Sequence, residues 1–319
     1  MEMEGAAPAR VTPGRIFALL AVPLLWGSFT PSMKLVLNDK HQPPSLLTNL
    51  LSHVIGSAVL VVFWLIQFSM KSRSERMPKM ESIRASAELG LYLFFGQLTQ
   101  LVGLKGTSAT TNAILVQASV IVVPLIDTIG WGGSGSPGVR ILLRLLPSVL
   151  ALFGVVLLTV TPGTSLVGSV TEDDWLGIAF SLVSAVCYAM HTLRLSAYGD
   201  VEATTQAAGQ VVFNALLDLL AMPFSLESRV WLFRAGSGPT RHLFMAAVWN
   251  GVVVVGATTW AMSYAQQAFS ASSAALAYAM EPLCAAILAV FILGEVLAPL
   301  QMLGGVLVIL ANLIAARNM

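Results

Sequence analysis

Apolar stretches long enough to cross a bilayer recur along almost the whole of this 319-residue chain, and no other feature restricts its fold so severely. A helix of ~20 apolar residues spans the ~30 Å hydrocarbon layer. Ten such stretches fall at residues 16–37, 45–69, 89–104, 109–130, 141–161, 175–195, 203–226, 242–267, 272–293 and 296–316. Charged residues make up only 10% of the chain, against roughly 25% in soluble domains, which is too few for a water-facing surface. The expected fold is therefore all-α and integral to the membrane, with ten transmembrane helices. The connections are short and rich in Gly, Pro and Ser, apart from the charged KSRSERMPKMESIR after the second stretch, so no separate soluble domain is expected.

The same composition excludes several function classes. A net charge of +1 offers no basic patch for a nucleic acid. Cys187 and Cys284 stand alone inside apolar segments, so neither a disulfide framework nor a Cys/His metal spacing can be drawn, and no metal or cofactor is expected. Residues 1–15 carry acids and bases ahead of the first apolar run, without a short apolar core and cleavage site, and read as a retained cytosolic tail. With that tail inside, eleven basic residues fall in inner segments (Arg10, Arg15, Lys71, Arg73, Arg76, Lys79, Arg84, Arg140, Arg144, Arg194 and Arg317) and five in outer ones. That bias places both termini in the cytosol. The plasma membrane or an inner membrane is the favoured address, with an organelle membrane as the alternative.

An internal repeat organises the chain. SATTNAI at 108–114 opens the fourth stretch and SASSAAL at 270–276 opens the ninth, at a constant offset of 162. Each half holds an odd number of stretches, so the second enters the membrane inverted, and the usual consequence is a solute site near the midplane. The expected organisation is a tail at 1–15, five-helix repeats at 16–162 and 163–316, and a short end at 317–319.

LLWGSFTPSMKLV in the first stretch and SASSAALAYAMEPLCAAILAVFILGE in the ninth resemble the W-G…K opening and the A-A-L…E-P…G-E signature of the drug/metabolite transporter superfamily, EamA type. TSATTNAILVQASVIVVPLID in the fourth fits the first-half version. The resemblance covers essentially the whole chain, although WGGSGSPGVR replaces the first-half G-E ending. It implies a secondary transporter or exporter of metabolites with no ATP site.

Glu281 is the leading candidate for chemistry, since it lies near the middle of the ninth stretch. A charged side chain at the bilayer centre costs roughly 2.5 to 3.5 kcal/mol on insertion scales, so such a group faces a polar cavity, a partner or a proton path. Pro282 beside it removes a backbone donor and favours a kink, and Pro31 is a second hinge candidate. Gln210, Asn214 and Asp218 recur every four residues and share one helix face, as do Thr259, Ser263 and Gln267. Such polar stripes line a cavity or bond neighbouring helices. Lys34 and Arg194 sit at corresponding places in the two halves, as gate charges or as basic side chains snorkelling to the interface; Asp127 reads as interfacial. Trp26, Tyr188, Trp260 and Tyr278 could stack on an apolar or cationic moiety. Small residues every four positions, Gly177 to Ala189 and Ala271 to Ala279, mark close helix packing.

Two other classes compete with a carrier. The string Gly132-Gly133-Ser134-Gly135 resembles a serine-protease motif, yet no histidine is placed by sequence to activate the serine. A channel would want a ring of like groups about a symmetry axis, and a scaffold has no use for Glu281. Gripping a phosphate calls for clustered Lys and Arg, which the stretches lack, so the expected solute is neutral, zwitterionic or cationic.

Overall fold

The computed structural model describes residues 9–29, 32, 44–70, 80–107, 109–130, 137–159, 172–225, 228, 241–294 and 296–317, and within them every regular element is helical. Pro31, Lys34 and the 132–135 string lie outside the described residues. Six helices are long and apolar enough to cross a membrane, and three shorter helices are also apolar.

In chain order the helices are α1 (Pro13–Gly27), α2 (Ser45–Met70), α3 (Met80–Gly106), α4 (Ala109–Val116), α5 (Ser119–Gly130), α6 (Pro137–Thr159), α7 (Glu172–Ala197) and α8 (Ala203–Ala221). A 3₁₀ turn at Met222–Phe224 follows. Then come α9 (Arg241–Trp249), a π-helical segment Asn250–Ala257, α10 (Thr258–Ala265), α11 (Ala271–Tyr278), α12 (Glu281–Leu293) and α13 (Pro299–Arg317). Local chemistry sets several boundaries. Thr12 caps α1 ahead of Pro13 at its first position, where the missing N–H costs nothing. Ser270 accepts the Ser273 amide at the start of α11, and α12 ends on Gly294 with φ of 69°, the left-handed cap glycine tolerates best.

Three stretches differ from their sequence reading. The third is a longer helix than the apolar run 89–104, because its first two turns, from Met80, carry Glu81 and Arg84 at exposed positions. The fourth and ninth, each read as one span, are each broken in two. The breaks, at 117–118 and 279–280, are again 162 residues apart. At the second, Pro282 has no N–H to return to the Tyr278 carbonyl, and Met280 bonds instead to Ala277 in a tightened turn. At the first, Ala118 and Val120 make the same i→i+3 bonds, to Leu115 and Gln117.

The chain divides into two compact units, each drawing on both sequence halves. The first holds Met1–Phe94 and Tyr198–Ala268. Within it α2 packs on α8 and on the π segment, and α1 runs along α10. Gly56 lets the backbones touch: a Cβ there would stand 2.9 Å from the Gly251 carbonyl oxygen. The second unit holds Phe95–Ala197 and Phe269–Met319. Here α13 lies along α6, and α5 packs against α6, α7 and α11. Gly177, Ser181, Ala185 and Ala189 are all buried on α7, with Gly177 directly against Gly106.

The distribution of polarity is the reverse of a soluble protein's. Phe17, Leu20, Leu65, Ile66, Leu219, Leu220, Leu303 and Leu313 are exposed, while His53, Asn112, Ser181, His191, Gln206, Gln210, Asn214, Asp218 and Asn250 are buried. Water would penalise that arrangement; lipid favours it, since hydrocarbon solvates the apolar faces and the polar groups satisfy one another inside. The protein is an all-α, multi-pass membrane protein.

Candidate functional site

The polar stripe on α8 is turned wholly inward. Gln210, Asn214 and Asp218 are buried, and each meets a side chain from another helix of the first unit. Gln210 Nε2 donates to Ser263 Oγ of α10 at 3.2 Å. Asp218 Oδ2 lies 2.7 Å from Nδ1 of His53 on α2. Asn214 Nδ2 lies 3.4 Å from Nε2 of the same ring. His53 is 4% exposed, Asp218 2% and Asn214 1%, so the imidazole is held at both nitrogens away from solvent. The two candidate stripes thus meet each other through Gln210 and Ser263, and two α8 residues meet His53.

His53 is the residue that reading the sequence missed. Its signal was present: a lone ionisable side chain inside the apolar run LLTNLLSHVIGSAVLVV, the same feature that singled out Glu281.

At one end of this unit Arg15 does more than close the N-terminal tail. Its Nη1 donates to the Tyr264 carbonyl at 3.1 Å and its Nη2 to Gln267 Oε1 at 3.0 Å. The guanidinium carbon stands 4.7 Å from the Tyr264 ring centroid, and Tyr264 stacks on Trp260 at 5.2 Å. Gln267 in turn donates to the Val201 carbonyl. One cation therefore ties α1 to the end of α10 and, through Gln267, to the approach to α8.

In the second unit Glu281 is the first residue of α12, immediately after the break. It is half-buried, and no side-chain hydrogen bond reaches it among the described residues. It is close enough for its charge to act on the Tyr188 hydroxyl and on Cys284. Tyr278 is buried one turn earlier and Pro282 is half-buried beside it. Asp127 accepts a hydrogen bond from Ser272 Oγ at 2.8 Å, joining the end of α5 to the start of α11. Arg194 is half-buried in the last turn of α7, and Trp26 half-buried in α1.

A second polar network crosses from α3 to α7. Tyr188 donates to Gln100 Oε1 at 2.7 Å, Asn112 donates to the Gln100 carbonyl and to Ser181 Oγ, and Ser184 donates to the Gly96 carbonyl. Removing the Tyr188 hydroxyl in Tyr188→Phe is expected to lower stability by about 1 kcal/mol, the range measured for hydrogen bonds between membrane helices. Thermal unfolding in detergent checks it. A Tyr188→Phe, Gln100→Met double variant whose loss equals the sum of the two single losses would show that the two groups do not interact.

Residues 175–317 match the family model of the EamA-like transporter family. No curated protein matches the chain in sequence. Among solved structures, a crystal structure described only as that of a protein superposes with a TM-score of 0.75 at 16% identity, covering 97% of this chain and 98% of its own. At that identity the likeness is one of fold. The second half of the chain is thus similar to the EamA-like transporter family, and the chain shares its fold with that structure along its whole length.

Proposed function

We propose that the protein is a secondary transporter that carries small metabolites by alternating access, built from ten transmembrane helices as two inverted five-helix repeats at 16–162 and 163–316. The observation that carries this reading is the pair of matched breaks in the fourth and ninth stretches, 162 residues apart, with Glu281 opening the helix after the second. Discontinuous helices in corresponding places of two halves are the form in which transporters present polar backbone and ionisable groups inside a bilayer. The packing of α2 on α8, α5 on α11 and α6 on α13 also supports it, because each pair joins a helix to its counterpart in the other half.

In this reading Glu281 is the proton-coupling carboxyl. Gln210, Asn214 and Asp218 join Trp26, Tyr278 and Lys34 in contacting solute or coupling ion when the cavity is open, and Pro31, Pro282 and Arg194 serve as hinge and gate. The solute is neutral, zwitterionic or cationic, both termini are cytosolic, and the chain acts by transport and not by catalysis.

Uptake by reconstituted vesicles from a panel of amino acids, polyamines, nucleosides and sugars, with and without a pH gradient, tests the proposal. Saturable uptake that trans-solute accelerates is expected. Non-saturating conductance would indicate a channel, and no flux for any solute would leave only a scaffold.

A further inference from the structure

The His53 cluster has a property that hydrogen bonding between helices does not require: it can hold two proton counts while both ring-nitrogen contacts, to Asp218 and to Asn214, are kept. When the ring is neutral and its Nδ1–H is donated to the Asp218 carboxylate, Nε2 is free to accept the Asn214 amide N–H. Contacts of 2.7 Å and 3.4 Å at the two nitrogens permit this state. The cluster then carries one negative charge among buried groups. One more proton, placed on Nε2, or on the carboxyl with the ring in its other tautomer, cancels that charge. Either way Nε2 now bears hydrogen. Asn214 meets it by half a turn of its amide, which brings the carbonyl oxygen where the NH₂ had been.

The other ionisable groups on the helices around the pair are engaged or placed elsewhere. Glu202, at the far end of α8, accepts the Thr205 hydroxyl. Glu88 of α3 accepts the Tyr198 hydroxyl. Glu81 and Arg84 are exposed in the first turns of α3, and Arg241 and His242 are exposed in the first turn of α9. The π segment carries no ionisable side chain, and α2 carries none but His53. Asp218 is therefore the charge that faces the ring.

We propose that His53, Asp218 and Asn214 form a proton-binding site in the first unit, separate from Glu281. Resting on the transporter reading, the exchangeable proton held there moves during the solute cycle. A buried group that gains or loses net charge favours different packings in its two states, and this cluster bonds α2 to α8.

Nitrogen-15 histidine spectra of the full-length protein in lipid nanodiscs test the site without any solute. The chain has four histidines, and the His53 signals are those that vanish in His53→Gln. Across a pH series the signals of both His53 nitrogens should respond together, because both are held within the cluster. In Asp218→Asn, which keeps size and hydrogen bonding but removes the facing charge, that response should change. His53 signals that stay fixed across the series, or that respond identically in Asp218→Asn, overturn the site. The vesicle panel then separates the two ideas. If a solute accumulates with the same pH-gradient dependence in wild type and in Asp218→Asn, the proton held here is not coupled and that part of the proposal fails. If no solute moves at all, the transporter reading falls, while the histidine titration still decides the site.

Discussion

Glu281→Gln is expected to abolish gradient-driven accumulation while solute exchange continues at a reduced rate. The carboxyl opens α12 directly after the break, half-buried and without a side-chain hydrogen bond among the described residues. Among the described residues only the N-terminus of α12 itself favours an ionised state, whose placement at mid-bilayer costs roughly 2.5 to 3.5 kcal/mol. Because 1.4 kcal/mol is a factor of ten, a conformation that admits water to Glu281 and one that does not would differ in proton binding by up to about 300-fold. That difference is what allows a gradient to bias the two. Glutamine keeps the size and the polarity but cannot titrate, so the ratio of internal to external solute should fall from more than tenfold to about one. Accumulation measured in vesicles across a range of pH decides it. If the variant accumulates solute with unchanged pH dependence, Glu281 only holds helices together, and coupling would have to reside at His53 and Asp218.

Gly304→Val should be strongly damaging for folding. A Cβ at Gly304 would stand 2.5 Å from the Gly154 carbonyl oxygen and 2.6 Å from the Leu158 amide nitrogen. Both are backbone atoms of α6, which cannot swing aside as a side chain can. Overpacking usually costs 1 to 3 kcal/mol, and a clash with backbone on the facing helix belongs at the top of that range, about 3 kcal/mol. The variant should lose most of its monodisperse yield and melt well below wild type. Gly294→Ala is the matching control: nothing lies within 4 Å of that position, and only the left-handed backbone with φ of 69° resists an alanine, at about 1 kcal/mol. Equal loss in the two variants would mean that the α6–α13 contact is not close-packed.

Membrane character and the resemblance to the EamA type were legible in hydropathy and in the ninth-stretch signature, because lipid imposes long apolar runs and the signature residues are contiguous. The inward face of α8 was legible too, from Gln210, Asn214 and Asp218 at four-residue spacing. Their partners were not. His53 is 165 residues from Asp218, and only folding brings the two helices together. Arg15 met a similar limit: as a basic residue beside an apolar run it resembles any interfacial anchor, and its bonds to Tyr264 and Gln267 depend on contacts about 250 residues away. The two helix breaks were half visible. Pro282 marks the second, whereas the first, at Gln117 and Ala118, has no proline within it, and Pro124 lies further along α5.

The broken spans also bear on how the protein is made. At about 1.5 Å per residue, α4, α5, α11 and α12 measure on the order of 12, 18, 12 and 20 Å, so none of them crosses a ~30 Å layer alone. Val123 of α5 completes its buried surroundings only with Ala271 and Ala275 of α11, which are synthesised much later. Until α11 is made, the inner face of the fourth stretch lacks part of its packing. A chain released before residue 270 would leave that face open, which gives membrane quality control a physical mark by which to tell an incomplete protein from a finished one.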